Sequence, residues 1–175
     1  MQKAVIIYST TDGQTKRICE FLKQKLEAKI NIDLFSIEDI DRAELNFYDK
    51  IIIGASIRYG KHSKKLYKFI NLKKNILDQK QCAFFSVNVV ARKSDKNTAE
   101  TNPYINKFLK ISKWKPNKIR VFPGKVDYPN YNFFDKYIIK FIMFITKGPT
   151  DTSQSYEFTD WSKVDNFSEE LKNNY

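Results

Sequence analysis

The sequence predicts an α/β domain built on an open, doubly wound parallel sheet with helices on both faces. Two observations carry that prediction. Residues 4–8 (AVIIY), 50–55 (KIIIGA) and 82–90 (CAFFSVNVV) are apolar, β-branched or aromatic runs with little period-two alternation, as expected of strands covered on both faces. Helical patterns separate these runs, so strand and helix alternate along the chain, which calls for right-handed βαβ units.

In chain order, the strand at 4–8 is followed by a helix marked by Ile18, Phe21, Leu22 and Leu26, and a weaker strand occupies 30–35. The strand at 50–55 precedes a helix carrying Leu66, Phe69, Ile70, Ile76 and Leu77. The strand at 82–90 precedes a helix around 104–111, and a fifth strand lies at 118–122. Val164, Phe167 and Leu171 mark a last helix capped by Asp160. There is no internal repeat and no Pro/Gly/Ser-rich linker, so one domain over 1–175 is expected, with an insertion at about 128–152.

The composition suits a folded chain: 175 residues, 42% hydrophobic, with five glycines and five prolines. Thirty-one basic against 20 acidic residues give a net charge of +11, which predicts an anionic partner such as nucleic acid, acidic lipid or a polyanionic small molecule. Cys19 and Cys82 stand far apart in apolar segments, which excludes a disulfide framework or a cysteine-rich zinc site and points to a reducing compartment; no metal is expected. The apolar run near the N-terminus is too short for a signal-peptide core, so a cytoplasmic location is expected.

Gly13, Gly54 and Gly60 fall at or just beyond the C-terminal ends of predicted strands, the edge where open α/β sheets bind ligands. After the first strand, Ser9, Thr10, Thr11, Asp12, Gly13, Gln14 and Thr15 lead into a helix. Four hydroxyls, free backbone N–H groups and a helix N-terminus suit one phosphate, whereas a simple N-cap needs only one such residue. The loop has one glycine, not the three of a dinucleotide fingerprint. The stretch at 54–62 (GASIRYGKH) fails as a Walker A loop, because its glycines are one residue too far apart and His62 stands where Ser or Thr should hold magnesium.

These residues resemble a known family. Thr10-x-Asp12-Gly13-x-Thr15 is similar to the phosphate loop of flavodoxins, with Asp12 in place of the usual threonine. STxDGQT after the first strand, IGASIRYGxH after the third, SVNxVARK after the fourth and TDW before the last helix resemble, in order, the quinone-dependent protoporphyrinogen oxidases of flavodoxin type. The likeness runs from about Ala4 to Phe167.

The resemblance implies a flavodoxin-like five-stranded sheet of order 2-1-3-4-5 with non-covalent FMN at the switch between strands one and three. By position, Ser9 to Thr15 would hold the phosphate. Gly54, Ala55, Ser56, Ile57, Arg58, Tyr59 and Gly60 would flank one side of the isoalloxazine, and Ser86, Val87, Asn88, Val89 and Ala91 the other. The implied reaction oxidises protoporphyrinogen IX to protoporphyrin IX in haem biosynthesis and passes electrons to a membrane quinone, menaquinone or ubiquinone. FMN supplies the redox chemistry, so no catalytic triad is expected. His62 is a weak candidate for a proton acceptor, and otherwise a solvated residue at a helix start. Tyr59 is a candidate for stacking on the ring or for capping a strand end. Arg58, Arg92, Lys93 and Lys96 fall in loops that should rim the flavin and are candidates for the two substrate propionates.

The insertion is not needed by an electron carrier. Phe134, Tyr137, Ile138, Phe141, Ile142 and Ile145 form a helical stripe punctuated by Lys136, Lys140 and Lys147, and Gly148-Pro149 should stop the helix. Residues 131–147 fall short of the ~20 apolar residues a spanning helix requires. The stripe either packs on the sheet or lies on acidic lipid, placing the protein at the inner face of the cell membrane; a quinone contact and a lid over the porphyrin remain open beside these. Rival functions are an electron carrier, expected to be acidic rather than basic, and a reductase of another tetrapyrrole or quinone. A nucleic-acid module is also conceivable, but the sequence holds no recognised motif for one and spreads its basic residues along the whole chain, so no nucleic-acid partner is expected.

Overall fold

The computed structural model describes residues 2–173. β1 (Lys3–Ser9) lies between β2 (Asn31–Ser36) and β3 (Lys50–Ser56), and β4 (Gln81–Val87) and β5 (Lys118–Phe122) extend the sheet beyond β3. Every pairing in this sheet is parallel, and the order is β2-β1-β3-β4-β5, as the family resemblance implies.

The absence of alternation has a direct cause. Val5, Ile7, Ile51, Ile53 and Phe84 point into one core, closed by Leu66 and Ile70 of α2 (Lys64–Leu77) and Phe108 of α3 (Pro103–Ser112). Ala4, Ile6, Ile52, Ala83 and Phe85 point into the other, closed by Ile18 and Leu22 of α1 (Gln14–Leu26) and Val164 and Phe167 of α5 (Trp161–Lys172). Both faces are buried, so both residues of each pair must be apolar. Cys19 and Cys82 are buried as free thiols. Gly54 lets Phe85 close over β3: a Cβ there would lie 2.3 Å from the Phe85 ring.

Register brings the strand ends level, with Ser9 opposite Ala55 and Ala55 opposite Ser86, so the three loops that follow leave one edge together. Asp160 caps α5 as predicted, accepting from the N–H groups of Ser162 and Lys163. At its other end the buried Lys50 Nζ donates to the carbonyls of Leu171 (2.8 Å) and Asn173 (2.7 Å), a cation where a helix presents unpaired carbonyls.

The structure corrects the sequence at three places. The fourth strand stops at Val87, not residue 90, because the Asn88 side chain accepts from Ala91 N (3.1 Å) and starts a 3₁₀ turn over Val89–Arg92. The insertion rises from two short antiparallel strands, β6 (Lys125–Asp127) and β7 (Ser155–Glu157), each too short to show a period. Its helix, α4 (Phe133–Ile145), ends with Lys147 in the left-handed region (φ 55°). Gly148 serves space rather than backbone freedom, since a Cβ there would meet Met143 Cε at 2.3 Å.

α4 turns Met143 and part of Ile139 inward, onto a small core with Val126 and Tyr128. Apart from Ile142, which borders the cleft, the stripe read from the sequence points away from the sheet: Phe134 is 76% exposed, and Tyr137, Ile138, Phe141 and Ile145 are exposed beside Phe133 and Phe144. Packing on the sheet is therefore not the fate of that stripe. Among the described residues no helix is long and apolar enough to cross a membrane.

Candidate active site

The three loops leaving β1, β3 and β4 enclose a cleft of about 770 Å³ including its open mouth, and α4 roofs it. Thr10, Asp12, Gln14 and Thr15 line the end formed by the loop between β1 and α1. Gly13 sits at φ 85° before α1, with no atom near the position of a Cβ, and its N–H donates to Thr10 Oγ1 at 3.0 Å. Thr15 is fully buried and its hydroxyl has no partner in the protein. A buried orphan hydroxyl at the start of a helix fits an anion acceptor supplied from outside, because otherwise its desolvation is uncompensated.

Asp12 does not burden this loop with a bare charge. Arg58 Nη1 approaches its two oxygens at 3.1 and 2.9 Å, and the Tyr131 hydroxyl donates to it at 3.3 Å. Burial outweighs these partners and raises the Asp12 carboxyl above its ordinary value. Arg58 also reaches Asp135 of α4 at 2.8 Å, and its guanidinium lies 5.2 Å from the Tyr59 ring and 5.1 Å from the Tyr131 ring.

One wall is a tight turn. Arg58 and Lys61 exchange both backbone hydrogen bonds, and the central residues Tyr59 (φ 48°) and Gly60 (φ 73°) are both left-handed, as a type I′ turn requires. A tyrosine is costly at φ 48°, and it is held half exposed against the cleft. Ser56, Ile57, Val87, Asn88 and Val89 complete that rim.

Behind the rim runs a buried polar chain. The Asn88 amide donates to Ser86 Oγ (3.2 Å), Ser86 Oγ and His62 Nε2 share a hydrogen bond (3.0 Å), and Asn88 and Asn102 pair through their amides. His62 is 5% exposed and packs edge-on against Phe84 and Phe108, so the expectation of a solvated histidine is corrected. Burial, with Lys107 nearby, lowers its pKa to about 3 and keeps the ring neutral. Such a ring holds the β4 loop and is a poor proton acceptor.

Of the sequence candidates, Ser9 and Thr11 line an adjoining recess that His62 also borders. Gly13 is exposed in the loop itself, and Ala55, Ser86 and Ala91 are buried behind the walls rather than lining the cleft. Arg92 is drawn away from the cleft: its guanidinium donates to Val89 O (3.0 Å) and to Thr146 O (2.8 Å), clamping the C-terminal end of α4. Lys93 and Lys96 also lie outside the lining. Tyr104, Gly124, Lys125, Val126, Tyr131 and Met143 line the cleft without having been singled out. Tyr131 and Met143 belong to the insertion, whose helical stripe was legible but whose inward face was not. Among the described residues no cluster of His, Cys, Asp and Glu could hold a metal ion.

A doubly wound parallel sheet of order β2-β1-β3-β4-β5, with a hydroxyl-rich loop at its switch point and an aromatic-walled cleft beside it, is the architecture of the flavodoxin class. Residues 5–153 match the model of the Flavodoxin domain family, and the chain belongs to that family. Within it the chain is 44% identical to "Protoporphyrinogen IX dehydrogenase [quinone]" of Leishmania major, over 97% of this chain and 74% of the relative. It is 40% identical to the protein of the same name from Escherichia coli (strain K12), over 97% and 94%. Oxidised Flavodoxin 1 from Bacillus cereus shares the fold, with a TM-score of 0.56, 16% identity and 97% of both chains covered.

Proposed function

We propose that the protein binds FMN in the cleft and oxidises protoporphyrinogen IX to protoporphyrin IX, passing the electrons to menaquinone or ubiquinone at the cytoplasmic face of the cell membrane. The observation that carries the cofactor is the orphan hydroxyl of Thr15 beside the helix N-terminus of α1. The relatives' shared name carries the substrate and the acceptor.

When bound, FMN supplies two-electron redox chemistry. The chain's own residues supply position. Thr10, Thr15 and the first N–H groups of α1 hold the phosphate. Tyr59 and Tyr131 bound the space for the ring, and the Asn88–Ser86–His62 chain braces the rim from behind. α4 covers the cleft with Ile139, Ile142 and Met143 and excludes water.

The exposed aromatic face of α4, with Lys136, Lys140 and Lys147 around it and a chain charge of +11, supports a peripheral seat on acidic lipid. That seat sets the roof of the cleft against the phase in which a lipid-dissolved quinone resides. An electron carrier needs neither a roofed cleft nor this face.

Steady-state assay in vesicles tests the acceptor: porphyrin fluorescence should grow only when quinone is supplied in the lipid. Equal growth without quinone under anaerobic conditions contradicts the reading.

A further inference from the structure

We propose that Arg58 is the carboxylate receptor for the substrate and that Asp135 holds its place until a substrate carboxylate exchanges for it. This rests on the porphyrinogen reading above, since that substrate carries two propionates. Arg58 is the one arginine lining the cleft among the described residues. Its guanidinium lies 5.2 Å from the Tyr59 ring and 5.1 Å from the Tyr131 ring, and its two terminal nitrogens pair with Asp12 and Asp135, which holds the fork in place. The other cation of the lining, Lys125, already donates to Asp127 at 2.8 Å, and Arg92 is committed to Thr146.

Two carboxylates share this one guanidinium: Asp12 at 2.9 Å and Asp135 at 2.8 Å. They differ in what else holds them. Asp12 is part of the phosphate loop and also accepts the Tyr131 hydroxyl. Asp135 sits in the first turn of α4, where Asn132 Nδ2 donates to the same oxygen at 3.0 Å and the helix N-terminus favours its charge. Asp135 therefore keeps stabilising partners when it releases Arg58, whereas Asp12 stays tied to the loop. A propionate presents the same group, so the exchange conserves both the charge count and the hydrogen bonds of the guanidinium. It also frees the N-terminal end of the roof helix as the substrate seats.

The test is calorimetric binding of protoporphyrin IX and of its dimethyl ester to the FMN-loaded protein, with FMN content checked for each variant. The wild type should bind the diacid at least tenfold more tightly than the diester. Arg58→Gln should erase that preference, and Arg58→Lys should keep part of it. Asp135→Asn, which retains Arg58 but removes the competitor, should tighten diacid binding severalfold and leave the diester unchanged, and it decides the matter if the Arg58 variants do not fold. A preference that survives Arg58→Gln, or weaker diacid binding by Asp135→Asn, overturns the assignment. Equal binding of diacid and diester by the wild type overturns it while leaving the porphyrin reading intact; binding of neither overturns both.

Discussion

Arg58 and Arg92 grip opposite ends of one helix: Arg58 pairs with Asp135 in the first turn of α4 at 2.8 Å, and Arg92 donates to the carbonyl of Thr146 beyond its last turn, also at 2.8 Å. Each arginine comes from a loop of the sheet edge, so the roof is fastened to the rim of the cleft by polar contacts at its ends. Between those ends it is held by the small cluster around Val126, Tyr128 and Met143. A cover attached in this way yields at less cost than the sheet beneath it, whose strands are buried on both faces.

Thr15 is the sharpest test of the phosphate loop. Thr15→Val keeps the shape and removes the unpartnered hydroxyl. A hydrogen bond to a charged group contributes about 1.5–3 kcal/mol, so FMN affinity should fall by roughly 10- to 100-fold. Affinity for riboflavin, which lacks the phosphate, should hold, and the cofactor-free protein should be no less stable. Titration of flavin fluorescence measures both ligands.

Two glycines should fail for different reasons. Gly54→Ala places a Cβ against the Phe85 ring, overpacking the core at a cost of about 1–3 kcal/mol. Gly60→Ala meets no close atom but forces a side chain to φ 73°, at a cost of about 1 kcal/mol. Urea denaturation should rank them in that order, and Gly60→Ala should also weaken flavin binding by disturbing the turn that carries Tyr59.

His62 is the sole histidine, so its titration is unambiguous. Its pKa of about 3 in the fold lies below the ordinary 6.5 of the unfolded chain. Above pH 6.5 both states hold a neutral ring. As pH falls from 6.5 toward 3 the unfolded chain takes up a proton that the native protein does not, and stability declines by at most ~1.4 kcal/mol per pH unit. The imidazole proton resonances should show no titration between pH 8 and 5, and His62→Gln should flatten the decline in stability. A midpoint near 6.5 in the folded protein contradicts the buried, neutral ring.

The bare face of α4 predicts lipid binding. The protein should sediment with vesicles containing anionic lipid and be released by high salt. Phe134→Ser with Phe141→Ser should lower that binding by a hundredfold or more, since each buried phenylalanine contributes about 1.5–3 kcal/mol, and should leave the flavin spectrum unchanged.

The sheet was legible because burial on both faces writes itself as unbroken runs such as AVIIY and KIIIGA. The loop between β1 and α1 was legible as one wall of the cleft because hydroxyls, glycine and a helix start fall together between 9 and 15. The roof was legible as a helix but not in its orientation: α4 is apolar nearly all round, and periodicity cannot say that Met143 rather than Phe141 faces inward. The burial of His62 and the contacts of Arg92 were not legible, because a short loop carries no period and tertiary contacts with Ser86 and Thr146 decide where each side chain goes.

The most direct measurement is the visible spectrum of the protein reconstituted with FMN, followed by anaerobic addition of protoporphyrinogen IX. The account predicts that the flavin band bleaches while porphyrin fluorescence appears in step with it. A flavin band that stays oxidised while porphyrinogen is in excess contradicts the proposed reaction.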